Sequence, residues 1–166
     1  MDNRPVVVVM SGGKLINRVC EYCLASKVPL RFVVVMGRQA DVREMLEKIP
    51  VPAHHSVKLV GFCREMPKLL AVADLMVGKC GGLTAAENAA MGVPLIILDP
   101  IPGQEQRNSD ILLEAGQLKV NDLPLLTRRL DAVFGENGGQ LKKMQEGIKK
   151  IAKSQSAFTI VDDILK

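Results

Sequence analysis

Hydrophobic positions fall into short β-branched runs separated by longer stretches with helical spacing. Pro5 to Met10 is a continuous apolar run containing four valines, the pattern of a strand covered on both faces. Leu15 to Ser26 then sets Leu15, Ile16, Val19, Cys23 and Leu24 near a 3.6-residue period, which predicts a helix. Leu30 to Val35 predicts a second buried strand, ended by Met36-Gly37, and Val42 to Leu46 lies in a short charged helix that stops before Pro50 and Pro52. The alternation continues. Val57 to Val60 reads as strand, Pro67 to Ala73 as helix, Leu75 to Val77 as strand and Thr84 to Met91 as helix. Pro94 to Leu98 reads as strand, Asn108 to Ala115 as helix, and Leu118 to Val120 as a weak sixth strand. After Asn121 the chain turns helical, and Leu141, Met144, Ile148 and Ile151 form one apolar stripe with Lys142, Lys143, Lys149, Lys150 and Lys153 around it. A solvated lysine-rich face is favoured there over a membrane-surface helix.

Strand and helix in strict alternation require crossover connections, hence a parallel sheet with helices on both faces. The fold class is α/β: a doubly wound, Rossmann-like sheet of about six strands in a single domain over residues 1–166. In such sheets ligands sit beyond the carboxyl ends of the strands. Five segments occupy that edge: Ser11 to Lys14, Gly37-Arg38, Gly61-Phe62, Gly78 to Gly82 and Asp99 to Glu105.

Composition narrows the classes. With 166 residues, 48% hydrophobic and 24% charged, the chain is long enough to hold a core without disulfides or a metal. Aromatics are only 3%, which argues against the stacking platforms of single-strand nucleic-acid binders, and a net charge of +4 is too small to indicate nucleic acid. No apolar run approaches the roughly 20 residues that span a bilayer. Arg4 followed by a short apolar run lacks a secretory signature, so a cytoplasmic setting is expected. Cys20-Glu21-Tyr22-Cys23 is a C-x-x-C, but it falls inside a predicted helix rather than at its start, which favours two buried thiols over a redox pair. Neither Cys63 nor Cys80 completes a zinc set, and His54-His55 sits in a Pro/His/Ser loop, where solvated side chains are expected.

Three of the strand-end loops carry candidate chemistry. Ser11-Gly12-Gly13 follows the first strand, where glycines let the backbone approach a phosphate. It is neither G-x-G-x-x-G nor a P-loop, and a tight turn without ligand explains it equally well. Lys79-Cys80-Gly81-Gly82-Leu83-Thr84-Ala85-Ala86-Glu87 is more informative. Thr84 and Glu87 fit the spacing of a capping box. The ligand-binding alternative exposes first-turn amides beside Gly81-Gly82 to a diphosphate, adds the Thr84 hydroxyl and the Lys79 charge, and sets Glu87 to accept from a ribose diol. Capping leaves the lysine and both glycines unexplained. Last, Asp99-Pro100-Ile101-Pro102-Gly103-Gln104-Glu105-Gln106-Arg107-Asn108 fixes a loop with two prolines and opens a helix with amide and carboxylate groups, the planar groups suited to sugar hydroxyls; alone it reads as a solvated loop, but its place beside the other two loops favours a ligand.

Val60-Gly61-Phe62, Met66 to Asp74, Lys79 to Glu87, Gly92-Val93-Pro94, Ile101 to Glu105 and Asn108 together resemble the nucleotide-sugar-binding, C-terminal half of GT-B glycosyltransferases. The likeness is to monogalactosyldiacylglycerol synthases and processive diacylglycerol glucosyltransferases, and more distantly to MurG. It extends to Ala157 to Ile164, which resembles that branch's C-terminal helix. The resemblance implies a UDP-sugar donor, with Gly12 and Gly13 near the diphosphate and Phe62 beside the uracil. It assigns Gly81, Gly82 and Thr84 to phosphate, with Lys79 nearby, Glu87 to ribose, and Gln104, Glu105 and Asn108 to the sugar. It further implies inversion at the anomeric carbon, no metal and no cofactor; the sequence contains no D-x-D motif.

The glycine loop Ser11 to Leu15 is leaner than in plant members. A complete GT-B enzyme also has a first domain, which supplies the lipid acceptor site and the catalytic base. The expectation is therefore an excised domain or one subunit of a split enzyme, which binds UDP but does not catalyse transfer alone and carries no catalytic base itself. Its expected partners are an N-terminal acceptor-binding domain or subunit and, through it, a membrane lipid such as diacylglycerol. Alternatives are a MurG-like N-acetylglucosaminyltransferase half with a polyprenyl-linked acceptor, or a non-catalytic module that keeps the fold.

Overall fold

The computed structural model describes residues 2–13, 15–38, 40–98, 101–135 and 139–165. The chain begins β1 (Val6–Met10), α1 (Leu15–Leu24), β2 (Arg31–Val35), α2 (Ala40–Leu46), β3 (Ser56–Val60), α3 (Met66–Leu70) and β4 (Leu75–Gly78). It continues α4 (Gly82–Met91), β5 (Leu95–Leu98), α5 (Gln106–Glu114), β6 (Leu118–Val120), α6 (Pro124–Phe134), α7 (Gly139–Lys150) and α8 (Ser156–Ile164). All six strands are parallel, in the order β3-β2-β1-β4-β5-β6. The chain winds outward in one direction from β1 and then in the other from β4, as expected for a doubly wound sheet.

Both faces of the central strands are buried, and the side-chain alternation sorts them into two cores. Val7 and Val9 of β1, Leu75 and Val77 of β4, and Ile96 and Leu98 of β5 pack with Ile16, Val19 and Cys23 of α1, Val42 of α2 and Leu126 and Leu130 of α6. Val8, Met76, Leu95 and Ile97 point the other way, toward Leu70 of α3, Ala89 of α4, Leu112 of α5 and Ile148 of α7. This two-sided burial is why the strands read as unbroken apolar runs. The stripe on α7 behaves as expected: Met144 and Ile148 are buried and Lys142, Lys143, Lys149 and Lys150 are exposed. A Cβ on Gly147 would meet the Ala115 carbonyl oxygen, so this glycine lets α7 press against the turn after α5. α8 is different. None of its residues is buried, and Phe158 and Ile164 stand out to solvent.

The amino-terminal edge of the sheet is stitched by side chains. Val6 N–H donates to Asp74 Oδ2 at 2.7 Å, and Leu95 N–H donates to Gln117 Oε1 at 2.9 Å. Gln117 Nε2 in turn donates to the carbonyls of Ala115 and Met144, which ties β6 to α7. The histidine loop departs from expectation. His55 is buried rather than solvated: Leu30 N–H donates to its Nδ1 at 3.2 Å, and its Nε2 lies 3.0 Å from the Ser26 carbonyl. Because Nδ1 accepts, the proton must sit on Nε2, and the ring is neutral. Burial pushes its pKa down, and the neighbouring His54 ring adds to that. His54 is exposed, as expected.

The two cysteines of the C-x-x-C are buried in α1, and burial raises the Cys20 thiol to about 12 and Cys23 well above the usual range. Thiolate is then scarce at neutral pH, which removes the redox reading. Two helices begin two residues earlier than periodicity predicted, α4 at Gly82 and α5 at Gln106, because glycine and amide residues at a helix start leave no trace in an apolar pattern.

Candidate functional site

The carboxyl edge gathers the loops singled out from sequence. β1 and β4 are neighbours with Met10 opposite Gly78, so Ser11-Gly12-Gly13 and Lys79-Cys80-Gly81 leave the sheet side by side at the switch point. Gly78 is required for that approach: a Cβ there would lie 2.7 Å from the Met10 carbonyl oxygen. Gly13 turns the first loop with φ 63°. Lys14, Asp99 and Pro100 lie outside the described residues.

At the second loop, Gly81 is the N-cap of α4 and Gly82 the first helical residue. Ala85 N–H donates to the Gly81 carbonyl, so the amides of Gly82, Leu83 and Thr84 precede the first intrahelical donor and have no partner within the helix. No side chain caps them. Thr84 therefore cannot be the cap of a capping box; it is the third residue of the helix, with Glu87 one turn on the same side, and both are half-buried. The start of α4 thus presents open N–H groups, a positive helix end and the half-buried Lys79 together, an arrangement that attracts anions.

The third loop braces the second. Asn108 Nδ2 donates to the Cys80 carbonyl at 3.0 Å, the Cys80 thiol lies 3.7 Å from the Glu105 carbonyl, and Ile101 N–H donates to Glu105 Oε2 at 2.8 Å. Glu105 is buried, with its other oxygen 3.5 Å from where a Cβ on Gly81 would lie. Burial, with the Glu105 carboxylate nearby, raises the Cys80 thiol above its ordinary pKa. Of the three residues expected to face a sugar, Gln104 is exposed, Glu105 is buried and accepts from Ile101 N–H within its own loop, and the amide nitrogen of Asn108 donates to the Cys80 carbonyl.

Phe62, just past β3, is 55% exposed, with the Arg38 guanidinium carbon 4.7 Å from its ring centroid. Ser11, Gly12, Gly37, Arg38, Phe62 and Cys63 line one cleft across the ends of β1, β2 and β3. Sequence reasoning marked Gly37-Arg38 only as a strand end; an aromatic and a cation brought together from different strands leave no local signal. Among the described residues, no three His, Cys, Asp or Glu side chains form a group able to hold a metal. No described helix is long and apolar enough to cross a membrane.

Known proteins resemble the chain over nearly its whole length. The chain is 28% identical to the processive diacylglycerol beta-glucosyltransferase of Bacillus subtilis, over 99% of its own length and 44% of that protein's. It is 32% identical to monogalactosyldiacylglycerol synthase 3 of Arabidopsis thaliana, over 98% of its own length and 37% of that protein's. The chain therefore spans less than half the length of these curated relatives. Among solved structures it superposes on Acinetobacter baumannii MurG with a TM-score of 0.82 at 22% identity, covering 99% of this chain and 51% of MurG, a match of fold. The six-stranded sheet is thus one Rossmann-like half of a GT-B architecture. The glycosyltransferase family 28 C-terminal domain matches residues 6–157, and the chain belongs to that family.

Proposed function

We propose that this chain is the donor half of a glycosyltransferase that moves a hexose from a UDP-sugar to a lipid acceptor such as diacylglycerol. One observation carries the reading: relatives named as diacylglycerol glycosyltransferases align with nearly the whole chain, its glycine-rich carboxyl edge included. The UDP leaving group gains negative charge as the glycosidic bond breaks. The unpaired amides at the start of α4 and the nearby Lys79 stabilise that charge without a metal, an electrostatic device set in place before reaction. Glu87 accepts from the ribose diol, and Gln104, exposed on the third loop, reaches the sugar beside Glu105 and Asn108. The acceptor and the base that deprotonates it belong to an N-terminal domain or subunit, so this chain alone binds UDP and does not transfer. In the complete enzyme the site works at a membrane surface from the cytoplasmic side, and the reaction inverts the anomeric carbon.

Calorimetric titration with UDP, UDP-glucose and UDP-galactose tests this directly. Binding of UDP is expected, and absence of binding to all three would sink the donor assignment. Glu87→Ala should weaken UDP about tenfold, the worth of a charge-assisted hydrogen bond, with the thermal midpoint unmoved. Transfer to diacylglycerol by the chain alone would show that no second domain is needed.

A further inference from the structure

The cleft across the ends of β1, β2 and β3 contains two groups whose interactions are unmet. Ser11 is only 8% exposed, and its hydroxyl is buried with no hydrogen-bond partner among the described residues. A buried hydroxyl left unpaired carries an uncompensated desolvation penalty, so such groups call for a partner. Arg38 is the second. Its side chain is exposed, and among the described residues no carboxylate pairs with it. It is nonetheless placed: Gly37, at φ 68°, turns the chain at the end of β2, and the guanidinium rests on the Phe62 ring. Stacking on an aromatic face orients the plane of a guanidinium and leaves its N–H edge free to donate.

We propose that Arg38 is a phosphate-binding residue for the donor nucleotide. The inference rests on the donor-binding reading above and adds a residue to it. A planar cation, a hydroxyl seeking a partner and the open backbone at Gly12, where no atom lies within 4 Å of a would-be Cβ, share one wall. The ligand such a wall fits is an anion with several acceptor oxygens, approaching close to the chain. Phosphate meets that description, and uncharged uridine does not. The exposed remainder of the Phe62 ring lies beside it for the base, so the arginine meets the charged arm of the nucleotide while the ring meets its flat end. Ser11 lines the same cleft, and a phosphate oxygen in it would give its hydroxyl a partner.

The experiment is a set of titrations of the wild-type chain, Arg38→Ala, Arg38→Lys and Ser11→Ala with UDP, uridine and pyrophosphate. Arg38→Ala should weaken UDP about tenfold and leave uridine unchanged. Arg38→Lys should recover part of the loss, since it keeps the charge and loses the fork. Ser11→Ala should cost about threefold. Arg38 is exposed, so its variants should melt as the wild type does. Equal UDP affinity in wild type and Arg38→Ala overturns the assignment while leaving the donor reading standing. An equal loss for uridine and UDP also overturns it, since the arginine would then serve the base. If the wild type binds pyrophosphate in an Arg38-dependent way but not UDP, the anion cleft survives and the nucleotide reading fails. If it binds neither, both fail.

Discussion

The two ends of the sheet treat polar groups in opposite ways. At the amino-terminal edge, Asp74 accepts from Val6, His55 accepts from Leu30, and Gln117 joins Leu95 to two carbonyls of other segments. Each brace fixes a strand start and has its partner. At the carboxyl edge the loops before α4 and α5 are braced by Asn108 and Glu105, but other groups there stay open. The hydroxyl of Ser11, in the loop after β1, is buried with no partner among the described residues. The open amides of α4 and the carboxylate-free Arg38 lie at the same end. Under the proposed function, one end of the sheet serves stability and the other serves binding. An unmet donor costs free energy in the empty protein, and that cost is relieved when a ligand supplies the acceptor.

The largest break in this comparison should come from Gln117→Ala. The residue is 3% exposed, and its loss strands the buried Leu95 N–H and removes the donor to Met144 and Ala115. The expected loss is about 2–4 kcal/mol in chemical denaturation, since more than one buried group is left unsatisfied. UDP affinity of the folded fraction should stay within twofold. A variant that melts normally would mean that the amino-terminal braces do not carry stability.

Much of this division was legible in the sequence, for a physical reason. Strands buried on both faces announce themselves as unbroken β-branched runs, and their alternation with helical stretches forces the parallel sheet and points to its carboxyl edge. Illegible were the pairings made across the fold. His55 looked like a loop histidine because its partners, Leu30 and Ser26, come from the segment before another strand. That Asn108 donates to the Cys80 carbonyl, and so links the loop before α5 to the loop before α4, leaves no local signal either. Residue type and strand position locate the site; only assembly decides which side chains are already occupied.

His55 supplies the next effect, a pH dependence of the stable end. Burial holds its folded pKa below the ordinary histidine value, with His54 opposing a second charge beside it. The unfolded chain therefore takes up a proton first as pH falls. The stability this neutral ring contributes is full above the unfolded pKa of about 6.5 and is lost as pH drops through it toward the lower folded value. Denaturation midpoints measured from pH 7.5 to 5.5 should fall, and the slope should flatten in His55→Asn. An unchanged slope would assign the dependence to other groups.

The smallest change in stability should come from Thr84→Ala, and its smallness is what makes it diagnostic. Were Thr84 the cap of a capping box, its removal would cost about 1 kcal/mol. In α4 the cap is Gly81, Thr84 is the third helical residue, and its side chain makes no cap bond. At an interior helix position alanine is the better helix former by a few tenths of a kcal/mol, so the variant should melt at the same temperature or slightly higher. UDP affinity should nevertheless fall about two- to tenfold, the worth of one hydroxyl hydrogen bond to phosphate. A variant that is unaltered or improved in stability yet poorer at binding is the signature of a group held open for a ligand. Loss of both together would return Thr84 to a structural role and make the start of α4 resemble the opposite end of the sheet.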